Sequence, residues 1–185
     1  MSDATAPERA ELALARRLEG LREHPIAQAL QPVSKLADQP PMVGLAALGL
    51  LIGVFGARPR VEGASARMLA SVLLATGVKH AIKHTVTRSR PHKLLDEGRY
   101  RREAGASDDK GEQSFPSGHT ADAFAAARAV ARVFPKAAIP AGAFAFLAGI
   151  AQPIRAAHYP SDVAAGALIG VLSELVVDRT VRAWS

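Results

Sequence analysis

Between Pro41 and Arg58 run sixteen consecutive uncharged and mostly apolar residues, MVGLAALGLLIGVFGA. Such a run is slightly short of the roughly 20 residues that cross a bilayer core. It is nevertheless the segment that narrows the fold most, because an element apolar on all sides is either enclosed by other elements or faces lipid. With 49% hydrophobic residues in only 185, the chain reads as a single helical unit lying partly in lipid.

The remaining segments repeat the theme with interruptions. Ala64 to Lys83 is apolar except for Arg67 and Lys79, so one of its faces is wet or covered by protein. Residues 91 to 115, PHKLLDEGRYRREAGASDDKGEQSF, read as a polar irregular loop. A helix is predicted from Ser117 to Phe134, ended by Pro135, with Arg128 and Arg132 as interior or snorkelling residues. KAAIPAGAFAFLAGIAQPI follows, and then Asp162 to Val177, whose Gly and Ala content permits close helix approach.

Before the first apolar run, Leu12, Leu14, Leu18 and Leu21 recur between charges at helical spacing, which predicts an amphipathic helix packed on the body. Prolines at 25, 32, 40 and 41 predict a linker after it. The first twenty residues have no apolar run before a small-residue site and do not read as a secretory signal. The expected architecture is all-α. It is a polytopic membrane bundle of about five core helices (residues 41–185), preceded by an amphipathic N-terminal helix and linker (residues 1–40).

The net charge of +6 points to anionic partners. Nucleic acid is disfavoured, because the basic residues are not interleaved with aromatics and no helix-turn-helix, zinc-finger or RNA-binding signature is present. With no cysteine, disulfides and thiolate zinc sites are excluded. His80 and His84 share an i, i+4 spacing, but Lys79 and Lys83 beside them would repel a cation, so these and His92 read as structural and no metal is expected.

An up-and-down path brings three segments to one end: Lys83 to Pro91, Pro116-Ser117-Gly118-His119, and His158-Tyr159-Pro160-Ser161-Asp162. Each holds a residue type that phosphoryl transfer requires. Lys83, Arg88 and Arg90 can neutralise phosphate charge. The Pro-Ser-Gly-His turn leads into a helix whose first N–H groups form an anion site, with Ser117 as N-cap and Gly118 allowing close approach. If the turn between them is helical, His158 can hydrogen-bond Asp162 through one ring nitrogen and attack phosphorus with the other. His119 can protonate the leaving group and then activate water.

These segments resemble the type 2 phosphatidic acid phosphatase superfamily, which includes membrane lipid phosphatases, undecaprenyl diphosphatases and soluble bacterial acid phosphatases. Lys83, six residues, Arg90-Pro91 matches its first pattern, and Pro116 to His119 its second. The resemblance implies that Lys83, Arg90, Ser117 and Gly118 bind phosphate, His119 is the acid, His158 the nucleophile and Asp162 its orienting partner. The third pattern, Ser-Arg, five residues, His, three residues, Asp, departs at Ala151 and Gln152, so its arginine is missing. Arg155 lies three residues before His158 and would supply that charge if the segment is helical.

The expected function is hydrolysis of a lipid phosphomonoester or diphosphate, isoprenoid or phosphatidate-like, through a phosphohistidine and without a cofactor. The expected partners are the lipid phosphate and the membrane, with homo-oligomerisation left open. The alternatives are a non-catalytic lipid-binding protein of the same fold and a soluble acid phosphatase or phosphotransferase. Arg58, Arg60, Arg67, Arg132, Lys136, Arg179 and Arg182 lie opposite the site, so the positive-inside tendency predicts a multi-pass cell-membrane protein with an extracytoplasmic site.

Overall fold

The computed structural model describes residues 5–184. The chain opens with α1 (Ala6–Leu18), α2 (Pro25–Ala29) and α3 (Gln31–Leu36), then enters α4 (Gln39–Phe55) and α5 (Pro59–Lys83). A short connection carries β1 (Val86–Arg88), α6 (Pro91–Glu97) and β2 (Arg102–Ala104). The chain returns through α7 (Gly118–Val133), α8 (Ala138–Ile154) and α9 (Pro160–Ala183). Five long helices after an amphipathic leader agree with the sequence expectation.

Two expectations are corrected. The stretch from 25 to 41 is not a plain linker, because its prolines sit in the first turns of α2, α3 and α4. A first-turn residue has no intrahelical use for its N–H, so proline starts these helices instead of breaking them. Nor is the stretch from 91 to 115 irregular throughout. Val86, Thr87 and Arg88 pair antiparallel with Ala104, Glu103 and Arg102, and α6 ends at Gly98 in the left-handed conformation.

α7 is the central helix. Ala121, Ala123, Ala125, Ala126 and Ala129 are buried, and the helix packs on α5, α8 and α9, while α4 packs mainly on α5 and reaches α7 through Met42. Small residues set the spacing. A Cβ at Gly170 of α9 would lie 2.3 Å from the carbonyl oxygen of Ala121, and one at Gly53 of α4 would lie 2.4 Å from the Glu62 nitrogen. The opposite, outward surface is apolar: Leu48, Leu51, Phe146, Leu168, Leu172 and Val176 are all exposed. Residues 59–83, 135–154 and 160–183 are long and apolar enough to cross a membrane. A fourth crossing is formed if α4 is joined to the α2–α3 segment, bent from it by 52°. α7 has only 16 residues, about 24 Å of rise, and its companions shield it from lipid.

At the end of the bundle away from α6, acidic residues on α9 gather the interior arginines. Glu174 is 1% exposed and accepts from Nε of Arg128 at 2.9 Å and of Arg132 at 3.1 Å. Asp178 pairs with Arg67 at 2.9 Å and Arg182 at 2.9 Å. Arg128 and Arg132 are thus partly exposed partners of a buried carboxylate, their heads reaching it from the helix surface.

Gly170→Val is expected to lower stability by about 1–3 kcal/mol through overpacking against α7. Gly142→Ala, where nothing lies within 4 Å of the added carbon, is expected to leave it equal or about 0.5–1 kcal/mol higher. Thermal unfolding midpoints of the two variants in detergent micelles check the pair.

Candidate active site

The three segments converge at the end of the bundle covered by α1 and α6. Arg88, at the end of β1, donates to Asp162 Oδ1 at 2.5 Å, to Glu11 Oε2 of α1 at 2.8 Å and to Ser161 Oγ at 2.8 Å. Its guanidinium also lies 4.4 Å from the Tyr159 ring centroid. Buried and doubly neutralised, Arg88 is a structural cation and does not offer charge to a ligand.

Asp162 is the third residue of α9, which begins at Pro160 with Tyr159 as N-cap. Its Oδ2 accepts from the Tyr159 N–H at 2.8 Å and from Ser114 Oγ at 2.6 Å. His158 therefore precedes the helix. The expected direct bond to Asp162 is replaced by a separation of 3.9 Å, and His158 Nδ1 lies 2.6 Å from the Ser114 carbonyl oxygen. A carbonyl only accepts, so Nδ1 carries the proton and Nε2 is left with its lone pair free. Burial holds the His158 pKa well below the ordinary histidine value, and the charges of Arg90 and Lys83 push the same way. The ring is neutral, the state in which an imidazole nitrogen is nucleophilic.

His119 is the second residue of α7. Its ring centroid lies 6.3 Å from that of His158, and its Nε2 lies 2.9 Å from Asp38 Oδ1. Ser117 caps α7, its Oγ 3.5 Å from the Thr120 nitrogen and 2.9 Å from Thr120 Oγ1. The first-turn N–H groups of α7, those of Gly118 and His119 included, have no intrahelical acceptor and add the positive end of the helix dipole. A Cβ at Gly118 would make a tight 3.3 Å contact with Lys79 Nζ, which is held beneath the turn by Asp122 at 2.5 Å.

Two cations have no such partner. Among the described residues, Lys83 Nζ donates only to the Gln113 carbonyl at 3.3 Å. Arg90 makes no side-chain hydrogen bond or ion pair among the described residues, its Nε is buried, and burial pushes its pKa down against the distant pull of Asp162 and Asp38. An arginine keeps its proton regardless, so this is a charge awaiting an anion.

The third pattern behaves differently from expectation. α8 ends at Ile154, and Ala156 has φ of 52°, so Arg155 and His158 do not share a helical face. Arg155 donates to Ser34 Oγ of α3 at 2.6 Å. Gln152 is fully buried; its Nε2 donates to the Ala148 carbonyl at 2.7 Å and to Ser34 Oγ at 3.2 Å, and its Oε1 has no partner. Ser34, Asp38, Glu11 and Ser114 are the site residues that sequence reasoning missed. Only Asp38 left a local trace: it stands before Gln39-Pro40-Pro41, a context that cannot use its carboxylate in the ordinary way.

Fold and site together define a multi-pass helical membrane protein with two histidines and unpaired cations gathered at one end of the bundle. The PAP2 superfamily model matches residues 64–184, and the chain belongs to that superfamily. It is 31% identical over 116 residues to the lipid A 1-phosphatase of Rhizobium johnstonii and 31% over 110 residues to that of Rhizobium etli. These matches cover 63% and 60% of the chain; the chain spans about half the length of these curated relatives, 47% of each. The crystal structure of Aquifex aeolicus LpxE superposes with a TM-score of 0.67 at 24% identity, covering 91% of this chain and 94% of that one. The transmembrane PAP2-type phosphatidylglycerolphosphate phosphatase of Bacillus subtilis gives 0.66 at 19%, covering 99% and 90%.

Arg88 and Arg90 predict opposite outcomes on removal. Arg88→Met strands Glu11 and Asp162 and is expected to cost about 3–5 kcal/mol of stability. Arg90→Met removes an unpaired charge and is expected to leave the unfolding midpoint unchanged or raised. Denaturant unfolding of both variants in micelles is the measurement.

Proposed function

We propose that the chain hydrolyses a phosphomonoester or diphosphate of a membrane lipid through a phosphohistidine. The observation that carries this reading is the pairing of a buried neutral His158, its Nε2 free, with the unpartnered charges of Arg90 and Lys83. Phosphate binds to Lys83, Arg90, Ser117 and Gly118, with Arg155 as the third cation in place of the arginine absent at Gln152. His158 Nε2 forms a bond to phosphorus as the bond to the leaving oxygen breaks, and His119 gives that oxygen its proton. Water then attacks the phosphohistidine, His119 takes its proton, and the P–N bond breaks to return neutral His158 and inorganic phosphate.

Asp162 acts on the nucleophile through Ser114, whose hydroxyl it holds and whose carbonyl fixes the His158 tautomer. The protein's own cations supply the charge stabilisation, and the reaction requires no metal. A lipid substrate is supported by an apolar groove of about 330 Å³ lined by Phe124, Phe146, Ile150, Pro153, Pro160 and Val163. Pro153 and Pro160 bracket the loop that carries His158. The names of the Rhizobium relatives point to the same substrate class. The concentration of arginines at the opposite end supports a site on the extracytoplasmic side of the cell membrane.

Phosphate release from isoprenoid phosphates, phosphatidate and lipid A 1-phosphate in EDTA tests the reading. Turnover is expected in the wild type and a loss of at least about 1000-fold in His158→Ala; full activity in that variant refutes the mechanism. Arg155→Ala is expected to lower kcat/KM about 10- to 100-fold, and adding Gln152→Arg to it is expected to recover part of the loss. Because the His158 pKa is depressed, the nucleophile stays unprotonated as pH falls below the ordinary histidine value of about 6.5. The acid limb of kcat/KM assigned to it, measured as phosphate release across pH, is expected below that value.

A further inference from the structure

We propose that Asp38 is the positioning residue for His119, so that the acid–base group of the site is a His119–Asp38 pair built partly from the N-terminal segment. This rests on the phosphatase reading given above. Asp38 is the N-cap residue of α4, where an aspartate normally accepts hydrogen bonds from the second and third residues of its helix. Those residues are Pro40 and Pro41, which have no N–H. The Asp38 carboxylate accordingly makes no capping bond, and it lies 2.9 Å from His119 Nε2 instead.

The geometry divides the two ring nitrogens of His119. Nε2–H donates to Asp38, which leaves Nδ1, without a protein partner among the described residues, as the nitrogen for chemistry. Protonated, Nδ1 gives its proton to the leaving oxygen as the P–O bond breaks. The ring then stays as the Nε2–H tautomer that Asp38 holds, with a bare Nδ1 placed to take a proton from the water of the second step. Arg90, Arg155 and Lys79 surround the ring with positive charge and Asp38 opposes them with negative charge. Loss of Asp38 would release both the ring's orientation and the compensation of its cationic form.

The test compares two substrates of equal tail and unequal leaving group: dodecyl phosphate, whose alkoxide must be protonated as it departs, and a dodecyl-substituted nitrophenyl phosphate, whose phenolate need not be. kcat/KM is used because it reports the steps up to phosphorylation. In the full chain in micelles, Asp38→Asn is expected to lower kcat/KM for the alkyl ester about 10- to 100-fold and for the aryl ester less than about 3-fold. Asp38→Glu is expected to restore most of the alkyl rate. Equal losses on both esters, no loss on either, a gain in rate, or no rescue by glutamate overturns the proposal, and activity on the aryl ester shows that the variant is folded. If the wild type is inert on both esters, or His158→Ala keeps turnover, the phosphatase reading fails and this one falls with it.

Discussion

A buried guanidinium between two carboxylates organises this end of the molecule. Arg88 is brought by the β-ribbon, Asp162 by the first turn of α9 and Glu11 by α1, so one charge network ties three remote parts of the chain together. Removing ions from water is costly unless their charges and hydrogen bonds are met inside. Here they are met in full on the carboxylate side: Asp162 also receives the Ser114 hydroxyl and the Tyr159 N–H. The orientation of His158 is a consequence, since the residue Asp162 grips by its hydroxyl is the one whose carbonyl accepts the His158 proton.

The same logic sorts the cations. Lys79 with Asp122, Arg88 with Asp162, and Arg128 and Arg132 with Glu174 are internally satisfied. Arg90, two residues beyond Arg88, is not. A fold that neutralises its buried cations elsewhere and leaves Arg90 and Lys83 without a carboxylate beside two histidines concentrates positive potential at one point.

What could be read in advance followed from locality. Pro116 to His119 is a cap and first turn within four residues, and α4, α5, α7, α8 and α9 follow from hydropathy and proline placement. The His158–Asp162 contact was misread because an i, i+4 rule applies only inside a helix, whereas Pro160 starts α9 two residues too late for it. The helical-face premise used for Arg155 fails in the same way at the other end of the loop, where α8 has ended and Ala156 has a φ of 52°. Ser114 was invisible because its part is played by a backbone carbonyl, which no side-chain pattern reports. The ribbon at 86–104 was hidden by a charged sequence that pairs through its backbone.

The leader contributes more than cover. Glu11 of α1 neutralises Arg88 and also accepts from the Ser161 N–H at 2.7 Å, meeting an open donor at the start of α9. Ser34 of α3 joins Gln152 to Arg155. In a bundle whose helices present their apolar sides to lipid, polar partners for an irregular loop must come from other irregular or short elements, because bilayer interior offers none. Two of the proline-started helices before α4 meet that need: α1 contributes Glu11 and α3 contributes Ser34, polar side chains that a long spanning helix would have had to place at its very tip. The departure at Gln152 is then physically coherent. A neutral side chain there accepts burial against Ala148 and Ser34, where an arginine would need a permanent counter-charge, and the charged Arg155 three residues on sits at the less buried edge, held by Ser34 of α3.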